Sequence, residues 1–269
     1  MRVWKGHAYG NDFLMMRADE VEARGTDPIK LARRTCARHT GIGADGLILF
    51  NEEDDGIRMR LINPDGSHAE VSGNGVRCLA ALVAHQSRGA SSKVSEVVIH
   101  TDAGPKTLTP VAHDELERRT IFRAHMGRPA DMRLLDLELD GTRVKAAALN
   151  MGNPQCILLD QPFTTETLHR FGPLLQNHPE FPQQVNVEII KVEDPRTVKI
   201  LIWERGVGPT ESSGTGSCAS AVAAIAYAGA SRNVDVIAPG GSQRVEWTEN
   251  GEVFLTGWAQ LVLDGQWVA

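Results

Sequence analysis

The sequence predicts an α+β protein of two pseudo-symmetric lobes, each a curved, mostly antiparallel sheet wrapped around a central helix. Three observations predict it. The pattern Ser-Gly-x-Gly occurs twice, half a chain apart, as Ser72-Gly73-Asn74-Gly75 and Ser213-Gly214-Thr215-Gly216. Each copy opens an apolar, small-residue segment, so each reads as a glycine-rich turn feeding a buried helix. Short β-like runs dominate both halves, and helices do not alternate regularly with them, which favours antiparallel pairing over a β-α-β array.

Taken in order, the chain enters at Met1-Arg2-Val3-Trp4-Lys5, a strand-like start without the apolar stretch of a secretory signal. Strands follow at 12–17, 47–50, 57–62, where Ile57, Met59 and Leu61 alternate, 97–101 and 120–125. The second half has strands at 143–150, 156–160, 185–190, 198–203 and 234–237, then a meander from 243 to the end. Apolar residues at helical spacing, most with Gly or Pro stops, predict helices at 28–39, 75–86, 164–175 and 216–230. The polar run Ala-His-Asp-Glu-Leu-Glu-Arg-Arg at 112–119 reads either as a domain boundary or as an exposed hairpin tip. The expected division is a first lobe of 1–117, with 261–269 returning to it, and a second of 118–260.

Composition bounds the function. A chain of 269 residues, 42% of them apolar, has an ordinary globular core. Its formal charge is −6 and its 28 Lys and Arg are scattered, which argues against nucleic acid and anionic membrane as partners. The longest uncharged small-apolar run, 218–230, is too short to span a bilayer, so the cytoplasm is the expected location. Cys36, Cys78, Cys156 and Cys218 show neither C-x-x-C spacing nor a histidine at ligand spacing, which argues against zinc and a disulfide framework. The oligomeric state is not set by the sequence; a homodimer is one alternative.

The two serine turns carry the chemistry. The first N–H groups of a helix lack intrahelical partners and the dipole points its positive end outward, so a pair of such termini suits a small carboxylate held between lobes. Read singly, each is a Ser-capped helix start. Further polar segments are His7-Ala8-Tyr9-Gly10-Asn11-Asp12-Phe13, Asn63-Pro64-Asp65-Gly66-Ser67, Gly152-Asn153-Pro154-Gln155 and Trp203-Glu204-Arg205-Gly206-Val207-Gly208. With Asn186 they offer carboxamides for both a carboxylate and an ammonium. Glu204-Arg205, at the end of an apolar strand, is either a solvated terminus or a clamp for those two charges.

These residues resemble the diaminopimelate epimerase family from end to end. The similarity lies in G-N-D-F at Gly10–Phe13, N-x-D-G-S-x-A-E at Asn63–Glu70, G-N-G-x-R-C at Gly73–Cys78, G-N-P at Gly152–Pro154, and E-R-G-x-G followed by S-G-T-G at Glu204–Gly216. The resemblance implies a cofactor-free epimerase with its site in the cleft between two lobes and a small zwitterionic amino acid as substrate. It puts Asn11, Asn63, Asn153, Asn186, Glu204 and Arg205 on substrate-contacting positions, beside Gly73, Asn74, Gly214 and Thr215 of the two turns. In that family cysteines stand directly before G-N-G and G-T-G, a thiolate base and a thiol acid on opposite faces of the α-carbon. Here those positions are Ser72 and Ser213, and an alcohol is far less acidic than a thiol. The family's G-N-P-H reads Gly152-Asn153-Pro154-Gln155, and Gln155 takes no proton at neutral pH. Glu204 remains available as a base. The four cysteines, deeper in apolar segments, read as structural.

Three functions are consistent with this reading. The first is epimerisation of LL- and meso-diaminopimelate, with Ser72 and Ser213 flanking the α-carbon. The second is epimerisation or dehydration of another amino acid such as a hydroxyproline. The third is a catalytically silent zwitterion-binding paralogue or Cys-to-Ser variant.

Overall fold

The computed structural model describes residues 1–87 and 96–268. The chain divides into two compact units, Met1–Ala124 with Gly257–Ala269, and His125–Thr256. The lobe limits expected from the sequence are 117 and 260; these units divide after Ala124 and after Thr256.

The first unit runs β1 (Arg2–Ala8), β2 (Asn11–Arg17), α1 (Ala18–Ala23), α2 (Pro28–Thr35), β3 (Gly46–Glu53), β4 (Gly56–Ile62), β5 (His68–Ala69), α3 (Gly73–Gln86), β6 (Val97–Thr101), β7 (Gly104–Asp114) and β8 (Arg119–Gly127). β1 pairs with β2 antiparallel, β2 with β3 parallel (Met15 opposite Ile48), β3 with β4 antiparallel, β4 with β6 parallel, and β6–β7–β8 form an antiparallel meander. The two parallel pairs are joined by crossovers that carry α2 and α3. α3 packs against β1, β2, β6 and β7, while Leu31 and Ala32 of α2 join Leu14, Met16, Leu47, Leu49 and Ile62 in a second apolar cluster.

The second unit repeats the pattern with β9 (Ala130–Leu139), β10 (Thr142–Asn150), β11 (Pro154–Leu158), α4 (Thr165–Gln176), β12 (Asn186–Asp194), β13 (Thr197–Glu204), β14 (Gly208–Thr210), α5 (Gly214–Tyr227), β15 (Asn233–Ala238), β16 (Gly241–Trp247) and β17 (Val253–Gln266). β11 pairs with β12 and β13 with β15 in parallel, around an antiparallel β12–β13 pair, and α4 and α5 are the crossovers. β17 crosses back into the first unit, where it pairs with β1. Strand alternation divides the second unit's core. Ile157, Ile190, Ile200 and Ile202 pack with α5, whereas Cys156, Val187 and Ile189 pack with Leu168 and Phe171 of α4.

Each expected helix is present, with shifted ends. α2 stops at Thr35 rather than 39 because the loop beyond it turns back: Ile42 and Gly43 donate to Thr35 O at 2.9 Å each, and a Cβ on Gly41 would strike Arg34 O. Pro28 at its first turn and the Asp27 carboxylate, accepting from Ile29 N at 2.9 Å, set its start. α5 ends at Tyr227 rather than 230 through a left-handed Gly229 (φ 75°) and an Ala230 N to Ala224 O bond of 3.2 Å. The 112–119 run is a hairpin tip between β7 and β8, where Asp114 Oδ1 accepts from Leu116 N and Glu117 N. Among the described residues no helix is long and apolar enough to cross a membrane.

Gly172 of α4 lies against the Trp203 indole, and a Cβ there would stand 2.6 Å from Cδ2. The ring cannot retreat freely, since its Nε1 donates to Gln176 Oε1 at 2.8 Å. Gly172→Ala is expected to destabilise the fold by about 1–3 kcal/mol despite the better helix propensity of alanine, read by urea unfolding. A stabilised variant would contradict this packing.

Candidate functional site

The two serine turns are built alike. Ser72 (φ −131°, ψ 122°) caps α3, its Oγ accepting from Gly75 N at 3.1 Å; Ser213 (φ −138°, ψ 129°) caps α5, its Oγ accepting from Gly216 N at 3.1 Å. Ser72 O accepts from Val76 N at 2.8 Å and Ser213 O from Ser217 N at 3.0 Å, the first full helical bonds. The caps leave the amides of Gly73 and Asn74, and of Gly214 and Thr215, without intrahelical acceptors. Neither first turn holds an acidic residue, so no side chain of the turn itself offsets the positive helix end.

In the first unit an ionic network stands beside this turn. Asn74 Nδ2 donates to Asn11 Oδ1 at 3.1 Å, and Asn11 Nδ2 donates to Asp45 Oδ2 at 2.8 Å. Arg38 Nη2 binds both Asp45 (2.6 Å) and Asp12 (3.0 Å), and Lys5 Nζ lies 2.8 Å from Asp12. Burial works to raise the Asp12 carboxyl, but hydrogen bonds from Arg38 and Lys5 outweigh it and hold the group below its ordinary range. Asn74 is also bound by the fully buried Arg77, whose guanidinium stacks over Tyr9. Asn63 sits on a separate turn, its Nδ2 donating to Ser67 Oγ at 3.0 Å.

The second unit uses amides where the first uses charges. Asn186 Oδ1 accepts from Arg205 N at 2.8 Å, which turns the Asn186 nitrogen toward Gln155. Gln155 Oε1 accepts from Asn186 Nδ2 and Thr215 Oγ1, each at 3.2 Å, and its nitrogen donates to Glu188 at 3.1 and 3.3 Å. The Asn153 side-chain amide meets that of Gln155 at 2.6 Å. Strand parity explains the assembly: Asn186 and Glu188 on β12, Gln155 on β11 and Glu204 on β13 share the face that packs on α5. Arg205 is exposed, and its guanidinium donates to Gln183 O at 2.9 Å.

Sequence reasoning missed Arg38, Asp45, Arg77 and Glu188. The signal for Glu188 is a single acid inside the apolar run Val-Asn-Val-Glu-Ile-Ile. The cysteines are all buried, and burial pushes the Cys78 thiol up to about 12 and raises that of Cys156 further, which keeps these two as unreactive thiols.

Glu188 is fully buried, and burial, with the nearby Glu204 charge adding to it, raises its carboxyl well above the ordinary range. The folded chain therefore retains a proton that the unfolded chain releases above about pH 4.3, and this group's contribution to stability falls as pH rises from there. Glu188→Gln removes that dependence. In urea unfolding the variant should gain on the native protein between pH 4 and pH 8, and parallel stability curves would contradict the buried acid.

A family model described as Diaminopimelate epimerase matches residues 3–130 and 147–262. The diaminopimelate epimerase of Desulfitobacterium hafniense is 37% identical, covering 98% of this chain and 97% of its own, and that of Synechococcus elongatus is 36% identical, covering 97% and 96%. Among solved structures, a predicted epimerase from Pseudomonas aeruginosa superposes with a TM-score of 0.73 at 16% identity over 100% of this chain and 99% of its own. A probable proline racemase from Agrobacterium radiobacter gives 0.70 at 17% identity over 99% and 92%. The last two establish the fold, two lobes of mixed sheet around helices. The full-length match in sequence goes further, and the chain belongs to the diaminopimelate epimerase family.

Proposed function

We propose that this chain is a cofactor-independent isomerase that interconverts LL- and meso-diaminopimelate, the step that supplies meso-diaminopimelate for lysine and peptidoglycan. The observation that carries the proposal is the pair of Ser-capped, acid-free helix N-termini in a chain that aligns end to end with enzymes of that name.

The chemistry assigns the parts. Epimerisation removes the α-proton on one face of the α-carbon and returns a proton on the other, so it calls on one base and one acid. The free amides of Gly73 and Asn74, and of Gly214 and Thr215, suit the α-carboxylate, onto which carbanion charge spreads; donors aimed there stabilise the transition state more than the ground state. Ser72 and Ser213 are the candidates beside the α-carbon. Glu204 and Arg205 suit the ammonium and carboxylate of the distal end, and Asn11, Asn63, Asn153 and Asn186 complete the polar lining. Asn11, Asn74 and Gln155 are held by bonds within the protein, which preorganises the turns rather than leaving their amides to reorient on binding.

Serine at both positions favours a second reading, a protein that clamps the zwitterion without turnover, because a hydroxyl removes an α-proton only when a neighbouring group takes its own proton. One experiment separates the two: NMR of LL-diaminopimelate in D₂O with the native protein, Ser72→Cys, Ser213→Cys and the double variant. The epimerase reading expects α-proton exchange with the native protein and a further rise of roughly tenfold or more in the double variant, with each single variant gaining less. Tight binding without exchange by the native protein would select the silent reading.

A further inference from the structure

Glu188 has no part in the roles just assigned, yet its setting is unusual. Its side chain has no exposed surface, and it makes no ion pair among the described residues. A buried charge normally has a compensating partner, as Asp12 has Lys5 and Arg38. The carboxyl instead faces the first turn of α5. A Cβ on Gly216 would collide with Glu188 Oε1 and stand 3.1 Å from Ser213 Oγ, so the acid and the serine hydroxyl flank the same point, and only glycine leaves room for both. The fold itself does not require an acid there. In the first unit the corresponding position beside Gly75 is filled by Ile48 Cδ1 at 3.3 Å and Met59 Cε at 3.5 Å.

Resting on the epimerase reading, we propose that Glu188 is the proton store behind Ser213, a positioning residue that lets an alcohol do the work of a thiol. In one direction the new Cα–H bond forms as the Ser213 Oγ–H bond breaks, Ser213 Oγ takes the proton of the Glu188 carboxylic acid, and Glu188 is left as carboxylate. In the other direction Ser213 Oγ takes the α-proton while its own proton passes to the Glu188 carboxylate. No oxidant or further reactant enters. The Ser213 Oγ lone pair is held by Gly216 N, leaving the hydroxyl proton to be donated, and the α5 N-terminus steadies negative charge on either oxygen. Gln155, donating to Glu188, holds the carboxyl in place.

The groups that act on this acid are few. Glu204 on β13 shares its face and opposes ionisation; Cys156 on β11 lies on the opposite face, protonated by burial. The first turn of α5 is uncharged, and α4 packs on the far side of β12.

The test is the pH profile of α-proton exchange with LL-diaminopimelate for the native protein, Glu188→Gln and Glu188→Asp, with affinity measured by calorimetry. Glu188→Gln, nearly isosteric, should lose roughly 100-fold or more in exchange while affinity stays within about threefold, and should lose the alkaline limb of the profile. Glu188→Asp, which keeps an acid but packs worse, should retain that limb and exceed Glu188→Gln. The reverse order, or exchange by Glu188→Gln with the native profile, overturns the proposal while leaving the epimerase reading intact. Absence of exchange by the native protein overturns the reading itself and the proposal with it. Should neither variant fold, infrared spectroscopy of the native protein decides: a buried carboxylic-acid carbonyl band at neutral pH that responds to added LL-diaminopimelate supports the store, and its absence overturns it.

Discussion

Everything distinctive in this molecule follows from the need to start a buried helix inside a sheet. α3 and α5 are crossovers between parallel strands, β4 to β6 and β13 to β15, so their first turns cannot be left to solvent along their whole length. A helix start presents N–H groups that must find acceptors. In each unit serine satisfies one, and the two amides before that one are left without intrahelical acceptors. A first turn without acidic side chains keeps the positive end uncompensated. The structural solution to a capping problem thus has the form that suits an anion, and it is made twice because the pairing order of the sheet is made twice.

The two copies differ in how they are braced. Around α3 the brace is ionic, with Asp12, Asp45, Lys5 and Arg38 fixing Asn11, and Arg77 fixing Asn74. Around α5 it is a directional chain of amides running from Arg205 N through Asn186 and Gln155 to Glu188. A neutral chain that ends in a neutral acid does not compete with a bound carboxylate for the helix end. A histidine at position 155 would offer a proton of its own; glutamine only relays orientation, and the acid beyond it is the group able to hold a proton. In the second unit, beside Ser213 and Gln155, a buried carboxyl thus stands where the first unit has isoleucine.

Much of this was legible in the sequence. The duplicated turn, the helices behind it and the fold class all follow from spacing and small-residue bias, because a capped helix start has strict local requirements. The end of α2 was not legible, since it is set by Ile42 and Gly43 returning to Thr35 O rather than by the residues of the helix. β9 was missed for a different reason: Leu135, Leu137 and Leu139 alternate with Asp136 and Glu138, but the exposed Leu134 breaks that period and leaves only a short stretch of it. Asn11 was read as a ligand contact; that both ends of its amide are engaged by Asp45 and Asn74 is a restraint visible only when three distant segments meet. Glu188 was passed over inside the 185–190 run, read as a strand in which only Asn186 was singled out, and strand parity is what turns it toward α5.

The proposal at the centre of this account is that both Ser-capped helix ends serve one zwitterionic ligand, and amide NMR tests it most directly. Titrating ¹⁵N-labelled protein with meso-diaminopimelate should shift the backbone N–H resonances of Gly73 and Asn74 and those of Gly214 and Thr215 together, along one saturation curve, as amides that acquire an anionic acceptor do. Shifts confined to one turn, or two curves with different midpoints, would contradict the claim.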